Sequence, residues 1–148
     1  MADIPRFTIT KDGRKEIAKA IAQGDSIIAG FFRFGEGGKV EVAPGVFAPK
    51  EPDPELTDIE AQGFGVNGLF RFEDDFGSGD VSIVSETKVR MEARIESAEG
   101  NDRGHGDPPE LYEVGYYTEA GKLLIYGTFP KVEKILGLTL VSPIRLNI

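Results

Sequence analysis

His105 is the only histidine in the chain, and it lies in NDRGHGDPP with Asp102 and Asp107 on either side. An imidazole near carboxylates is the raw material of a Ser-His-Asp arrangement or of an oxygen–imidazole metal site. Both need a supported frame, and a loop rich in glycine and proline with no second histidine does not supply one. A solvated loop histidine is the plainer reading. The acidic run EDDFGSGD, with Asp74, Asp75 and Asp80, offers oxygen ligands for a cation. It lacks the Asp-x-Asp-x-Asp-Gly…Glu order of an EF-hand, and Asp and Gly are also the ordinary residues of a hairpin turn. GEGGKV and GFGVNG are glycine-rich, but neither leads from a strand into a helix carrying Lys-Ser/Thr, so a phosphate loop is not indicated. The 25 acidic residues could include a carboxylate pair for glycoside cleavage, yet nothing marks one pair over another. No catalytic, cofactor-binding or metal-binding residue is therefore assigned.

The composition narrows the field further. A chain of 148 residues fits one domain with a real core. A formal net charge of −8 repels phosphate backbones and anionic lipid, so nucleic acid and membrane are poor partners. The absence of cysteine excludes disulfides, zinc–thiolate sites and thiol catalysis, and is compatible with a reducing cytoplasm. No apolar run approaches the ~20 residues that span a bilayer. MADIPRFTIT lacks the basic and apolar regions of a signal peptide.

The elements that must position any site read as α+β: mainly antiparallel sheet, one N-terminal helix, and long Pro/Gly-rich loops. PRFTIT alternates as a short strand. Thr10 is a natural N-cap for a helix over 11–23, with Ile17, Ala18, Ile21 and Ala22 on its apolar side and Gly24 as its stop. Gly13 in its first turn is a weak point unless something packs closely there. A strand over 27–34 places Ile28, Phe32 and Phe34 on one face, with Phe31 and Arg33 on the other. A Pro-rich connector spans about 43–63, where Pro44, Pro49, Pro52 and Pro54 hold the chain extended and deny it ladder hydrogen bonds. A short strand over 39–42 precedes it, and 56–62 reads as one helical turn or an anchoring segment. Residues 65–72 resemble a strand. VSIVSETKVRMEARIES alternates with period two, predicting a strand with Val89, Met91, Ala93 and Ile95 on one side and a wet opposite face.

The C-terminal part, about 111–148, reads as a hairpin and a closing strand. TEAG joins LYEVGYY to KLLIYGTF, and Gly121 suits the left-handed turn position. FPKVEKILG is a second connector. Pro143 inside the last strand implies an edge or a bulge. Tyr116 and Tyr117 are adjacent, so they point to opposite faces, and one of them must meet solvent, a loop or another chain.

The order of these segments resembles the phage tail-collar fibre family. TITKDGRKEIAKAIAQG, then a strand and GEGG, is similar to that family's opening helix, strand and Gly-rich turn. LYEVGYYTEAGKLLIYGTFPKVE is similar to its hairpin, with Glu113, Val114, Gly115, Gly121, Leu123, Gly127 and Pro130 on matching positions. LGLTLVSPIRLNI is similar to its final strand. Residues 39–85 match loosely and carry the Pro-rich insert. Family members place this module at the start of a long fibre, whereas this chain stops just after it, which favours an attachment module acting alone.

The resemblance implies a non-enzymatic structural protein of a phage tail: a baseplate, collar or fibre-attachment subunit, assembled in the host cytoplasm and located in the virion. Its implied partners are other tail, baseplate or fibre proteins and further copies of itself, with three-fold symmetry favoured and no cofactor. Interface candidates are Pro44, Pro49, Pro52 and Pro54 of the strap, Glu113, Tyr116 and Tyr117 of the hairpin, and Pro143 on the edge. Two competing readings are a carbohydrate- or receptor-binding module built on the aromatics, and a small hydrolase using Asp or Glu.

Overall fold

Thr10 is where the first strand becomes the helix. The computed structural model describes residues 5–85, 87–103 and 106–147. In it β1 (Arg6–Ile9) leads to Thr10, whose backbone is extended and whose Oγ1 accepts the Gly13 N–H at 2.9 Å. That bond satisfies one of the orphan donors of the first turn of α1 (Lys11–Gln23). Gly24 stops the helix in the left-handed conformation, at φ 73°. The apolar stripe does not bury the helix as its spacing suggests, because Ile21 is 81% exposed. The helix instead meets the sheet at Gly13, where a Cβ would stand 2.3 Å from the Leu124 carbonyl oxygen.

The remaining strands are β2 (Ala29–Gly35), β3 (Lys39–Ala43), β4 (Val46–Pro49), β5 (Arg71–Asp75), β6 (Val81–Ser85), β7 (Lys88–Ile95), β8 (Glu110–Thr118), β9 (Leu123–Glu133) and β10 (Leu140–Asn147). Every pairing between them is antiparallel. A five-stranded sheet runs β1-β9-β8-β2-β5, a three-stranded sheet runs β10-β7-β6, and β3 pairs with β4. The protein is thus mostly antiparallel sheet with one short N-terminal helix. Phe32, Phe34, Val114 and Tyr116 from the large sheet pack on Met91, Ala93 and Ile95 from the small one. These are the alternate positions of each strand, so the period-two pattern becomes the inner face of a sandwich.

Several expectations need correction. The alternating run at 81–97 is two strands, because β6 pairs back on β7. The wet face of β7 is also drier than expected: Glu92 is buried between Arg90 and Arg94, the latter at 2.7 Å. In β2 the register shifts between Ala29 and Phe31. That bulge reverses the parity, so Ile27 and Ala29 pack on the core and Ile28 is exposed. The strand expected at 65–72 begins only at Arg71, since residues 63–68 form a turn. β9 continues through Pro130 to Glu133, with Phe129–Lys131 bulged between the Leu111–Val132 and Glu113–Thr128 pairs. Pro143 does lie on an edge strand, β10.

The Pro-rich connector is not uniformly extended. Pro44 and Gly45 form the turn between β3 and β4, and Gly45 has φ 72°. Proline followed by a glycine of positive φ is the type II turn signature. Pro49 ends β4 opposite Lys39. The chain after it crosses the outer face of the five-stranded sheet as an irregular strap. The Lys50 carbonyl accepts the Thr128 hydroxyl at 2.6 Å, and the Pro54 carbonyl accepts the Lys11 N–H at 2.7 Å. Ile59 and Ala61 are buried against Tyr117, Leu123 and Tyr126, so 56–62 is an anchoring segment. Among the described residues no helix is long and apolar enough to cross a membrane.

Candidate functional site

The Glu-Val-Gly triplet of β8 is explained by the strap. Val114 and Tyr116 face the sandwich core, so Glu113, Gly115 and Tyr117 face the strap. Glu113 is fully buried. Its Oε1 accepts the Glu60 N–H at 2.7 Å and the Tyr126 hydroxyl at 2.9 Å. Its Oε2 accepts the N–H groups of Gly37 and Ala61, each at 2.9 Å. The three backbone partners can only donate, which is the arrangement of an ionised carboxylate. Burial raises the Glu113 carboxyl above its ordinary value, while the strap amides and the Tyr126 hydroxyl pull it back. The same burial, with the Glu113 charge alongside, pushes the Tyr126 hydroxyl far up.

The strap can come this close because its floor is backbone. A Cβ would stand 2.7 Å from the Ala61 Cβ at Gly35, 2.6 Å from the Glu60 Cβ at Gly37, and 2.9 Å from the Ile59 Cγ2 at Gly115. Glycine is required there for close approach, not for turn geometry.

A second polar cluster closes the strap from the β2 side. Asp58 Oδ1 accepts Arg33 Nη1 at 2.8 Å, the Ile59 N–H at 2.9 Å and the Tyr117 hydroxyl. Its Oδ2 accepts Arg71 Nη1 at 3.2 Å. Tyr117 stacks on Phe31 with centroids 4.8 Å apart, and the Arg33 guanidinium lies 4.6 Å from the Tyr117 ring centre. Burial alone would raise the Asp58 carboxyl, but the Tyr117 hydroxyl and the Arg33 and Arg71 charges outweigh it and hold it below the ordinary value. Burial and the Asp58 charge push the Tyr117 hydroxyl up. The sign of the pH effect follows: Asp58 adds stability above the unfolded carboxyl value, and that stability is lost as pH falls through the lower folded one. Asp58→Asn is therefore expected to lower stability by about 1–3 kcal/mol at neutral pH and by less under acid. Urea denaturation of both proteins at pH 7 and pH 3 checks this; an equal loss at both would refute it.

Glu36, in the GEGG turn, is a third carboxylate that sequence reasoning missed. It is buried and accepts the Phe70 N–H at 2.9 Å, the Glu110 N–H at 3.0 Å and Arg103 Nη2 at 2.7 Å. The signal available was a lone acid flanked by glycines. Those glycines read as turn residues, yet the segment supplies a carboxylate here and the Gly37 N–H to Glu113. Lys134 is also buried, with its Nζ on Asn101 Oδ1 at 2.5 Å, and desolvation lowers its ammonium value.

The structure brings only some of the expected residues together. Glu113 and Tyr117 share the strap side of β8. Tyr116 lies in the sandwich core and donates to the Ser142 carbonyl at 2.7 Å. These three side chains are closed within one chain, because an adjacent layer covers each face of β8. Pro52 is buried, Pro49 half-buried, and Pro44, Pro54 and Pro143 exposed. Asp74 is an exposed residue of β5, and Asp80 Oδ2 accepts the Gly77 N–H at 2.7 Å, as in a turn. Among the described residues no group of three or more acids and histidines is placed to hold a metal ion. His105 lies outside the described residues. No family model, curated protein or solved structure matches this chain.

Proposed function

We propose that this chain is a structural component of a bacteriophage tail, a baseplate, collar or fibre-attachment protein that oligomerises and links fibres to the tail. The observation that carries the reading is the set of exposed valines on the β3–β4 hairpin: Val40, Val42 and Val46 all face solvent. A hairpin with this surface suits burial against another chain. The hydrogen bonds that hold the strap agree. Glu113 and Asp58 spend their acceptors on the protein's own backbone and side chains, which fixes the strap in advance and lowers the ordering cost of assembly. On this reading the protein performs no catalysis, needs no cofactor, and works in the virion after assembly in the host cytoplasm. Its partners are tail or fibre proteins and further copies of itself, three-fold as in fibres, with neither nucleic acid nor membrane insertion. The strap with its prolines and the Pro143 edge are the accompanying contact segments.

Imaging of the intact particle, with the chain tagged, tests this. Copies at the tail–fibre junction are expected, and particles lacking the chain should lack fibres. A particle containing no copy, or saturable turnover of a small molecule by the purified chain, would end the proposal. A carbohydrate- or receptor-binding module is the second reading, favoured by a groove of about 510 Å³ that Phe7, Pro130, Val141 and Pro143 help to line. Reproducible glycan binding by the isolated chain would select it.

A further inference from the structure

We propose that Lys134 and Asn101 join in an intramolecular isopeptide bond, the Lys134 Nζ to the Asn101 Cγ, with loss of ammonia. This goes beyond the tail reading and does not depend on it.

The amine comes first. Lys134 follows directly on β9 and is fully buried. Lys11, Lys19, Lys50 and Lys131 lie in ion pairs and keep about half of their side chains exposed. Among the described residues the Lys134 Nζ has no ion-pair partner. It donates to Asn101 Oδ1 at 2.5 Å and to the Ile135 carbonyl at 3.2 Å, and neither acceptor is charged. An ammonium taken out of water without a paired carboxylate sheds its proton readily. Burial lowers this one accordingly, against the pull of the Glu99 charge. A neutral, desolvated lysine amine is a nucleophile.

The electrophile is already in contact. Lys134 is closed to solvent, so the carbon it can attack is one it touches. A C=O bond is about 1.23 Å long, so an Nζ 2.5 Å from Oδ1 lies within about 3.7 Å of Cγ. That approaches the ~3–3.5 Å of a near-attack arrangement. The Ile135 carbonyl is farther off, and its leaving group would be the chain itself. Both reacting groups are also held in place. Asn101 Nδ2 donates to the Ser97 carbonyl at 3.0 Å, which leaves Oδ1 toward the lysine. The Lys134 N–H is fixed on the Pro109 carbonyl at 2.9 Å, and the Gly137 N–H on the Ser97 carbonyl at 3.1 Å. The loop after β7 and the chain after β9 thus meet where the bond would form.

The step balances without an oxidant. The Nζ–Cγ bond forms, the Cγ–Nδ2 bond breaks, one proton passes from Nζ to Nδ2, and ammonia leaves. Glu99, the carboxylate whose charge acts on Lys134, is assigned the proton transfer. Asn101 is only half-buried, so ammonia has an exit, and its escape draws the exchange forward. The product is a neutral amide, which removes an ionisable group from a buried site.

Intact-mass spectrometry of the purified full chain, stored folded and then denatured, tests this. The expected mass is one ammonia below that of the sequence. Protease digestion should give a branched peptide joining the Asn101 segment to the Lys134 segment. Lys134→Met and Asn101→Ala should each keep the full mass of their sequences, with circular dichroism to check folding. Glu99→Gln should link more slowly, by about ten-fold or more. The wild-type mass is decisive even where a variant does not fold. The proposal falls if the wild-type chain keeps its full mass. It also falls if ammonia is lost without a branched peptide, as when an asparagine closes on its own backbone, or if the loss persists in Lys134→Met. Linking of Glu99→Gln at the wild-type rate would overturn the part given to Glu99. These outcomes are independent of whether the chain is found in a tail.

Discussion

Glu113→Ala is expected to destabilise the folded chain by about 3–5 kcal/mol, from donors left without an acceptor. The substitution leaves the N–H groups of Gly37, Glu60 and Ala61 and the Tyr126 hydroxyl without their acceptor in a site closed to solvent. Each stranded donor costs about 1–3 kcal/mol if nothing replaces the bond, and relaxation of the strap limits the total. For a domain of ordinary stability, about 5–15 kcal/mol, this is a large fraction. The melting temperature should fall by roughly 10 °C. Tyr126→Phe removes one donor and keeps the carboxylate and its three amides, so its loss should be near 1 kcal/mol. Hydrogen exchange gives the specific readout: the amides of Gly37, Glu60 and Ala61 should lose protection in Glu113→Ala before the core strands do. A loss under about 1 kcal/mol, below the cost of even one stranded buried donor, with strap protection intact, would mean that Glu113 does not hold the strap.

Gly13→Ala should go against the helix propensity scale. In an exposed helix the change stabilises by about 1 kcal/mol, because alanine restricts the unfolded chain and suits the helix. Here the new methyl would sit 2.3 Å from the Leu124 carbonyl oxygen, which is backbone near the start of β9. The helix must move outward to admit it. That movement strains the cap, where Thr10 donates its hydroxyl to the Leu123 carbonyl at 2.5 Å and its N–H to the Leu124 carbonyl at 3.1 Å. The expected outcome is a loss of about 2 kcal/mol or more, in the range for overpacking a fitted contact. Urea denaturation measures it directly. A gain in stability would show that α1 stands clear of the sheet and that Gly13 has no packing role.

These two residues mark the boundary between what the sequence determined alone and what needed the fold. The helix over 11–23 was legible because each of its signals acts within about four residues: the Thr10 side chain reaches Gly13, and Gly24 closes on Ala20. The hairpin around Gly121 and the edge position of Pro143 were legible for the same reason, since turn chemistry and the missing N–H of proline are local properties. Gly13 itself was visible as a position that needed a close neighbour, but not which neighbour.

The contacts of Glu113 were not legible. Glu113 meets Gly37, Glu60 and Ala61 across sequence separations of 76, 53 and 52 residues. A carboxylate between Tyr112 and Val114 carries no local mark of burial, so it read as a contact for another chain. The parity of β2 was lost to a bulge that hydrophobic alternation cannot register. The sequence by itself determined which segments could be strand or helix, because those preferences come from each residue's own backbone and its nearest neighbours. Only the tertiary structure decided which acids are buried, because that depends on groups brought together after the chain has crossed its own sheet.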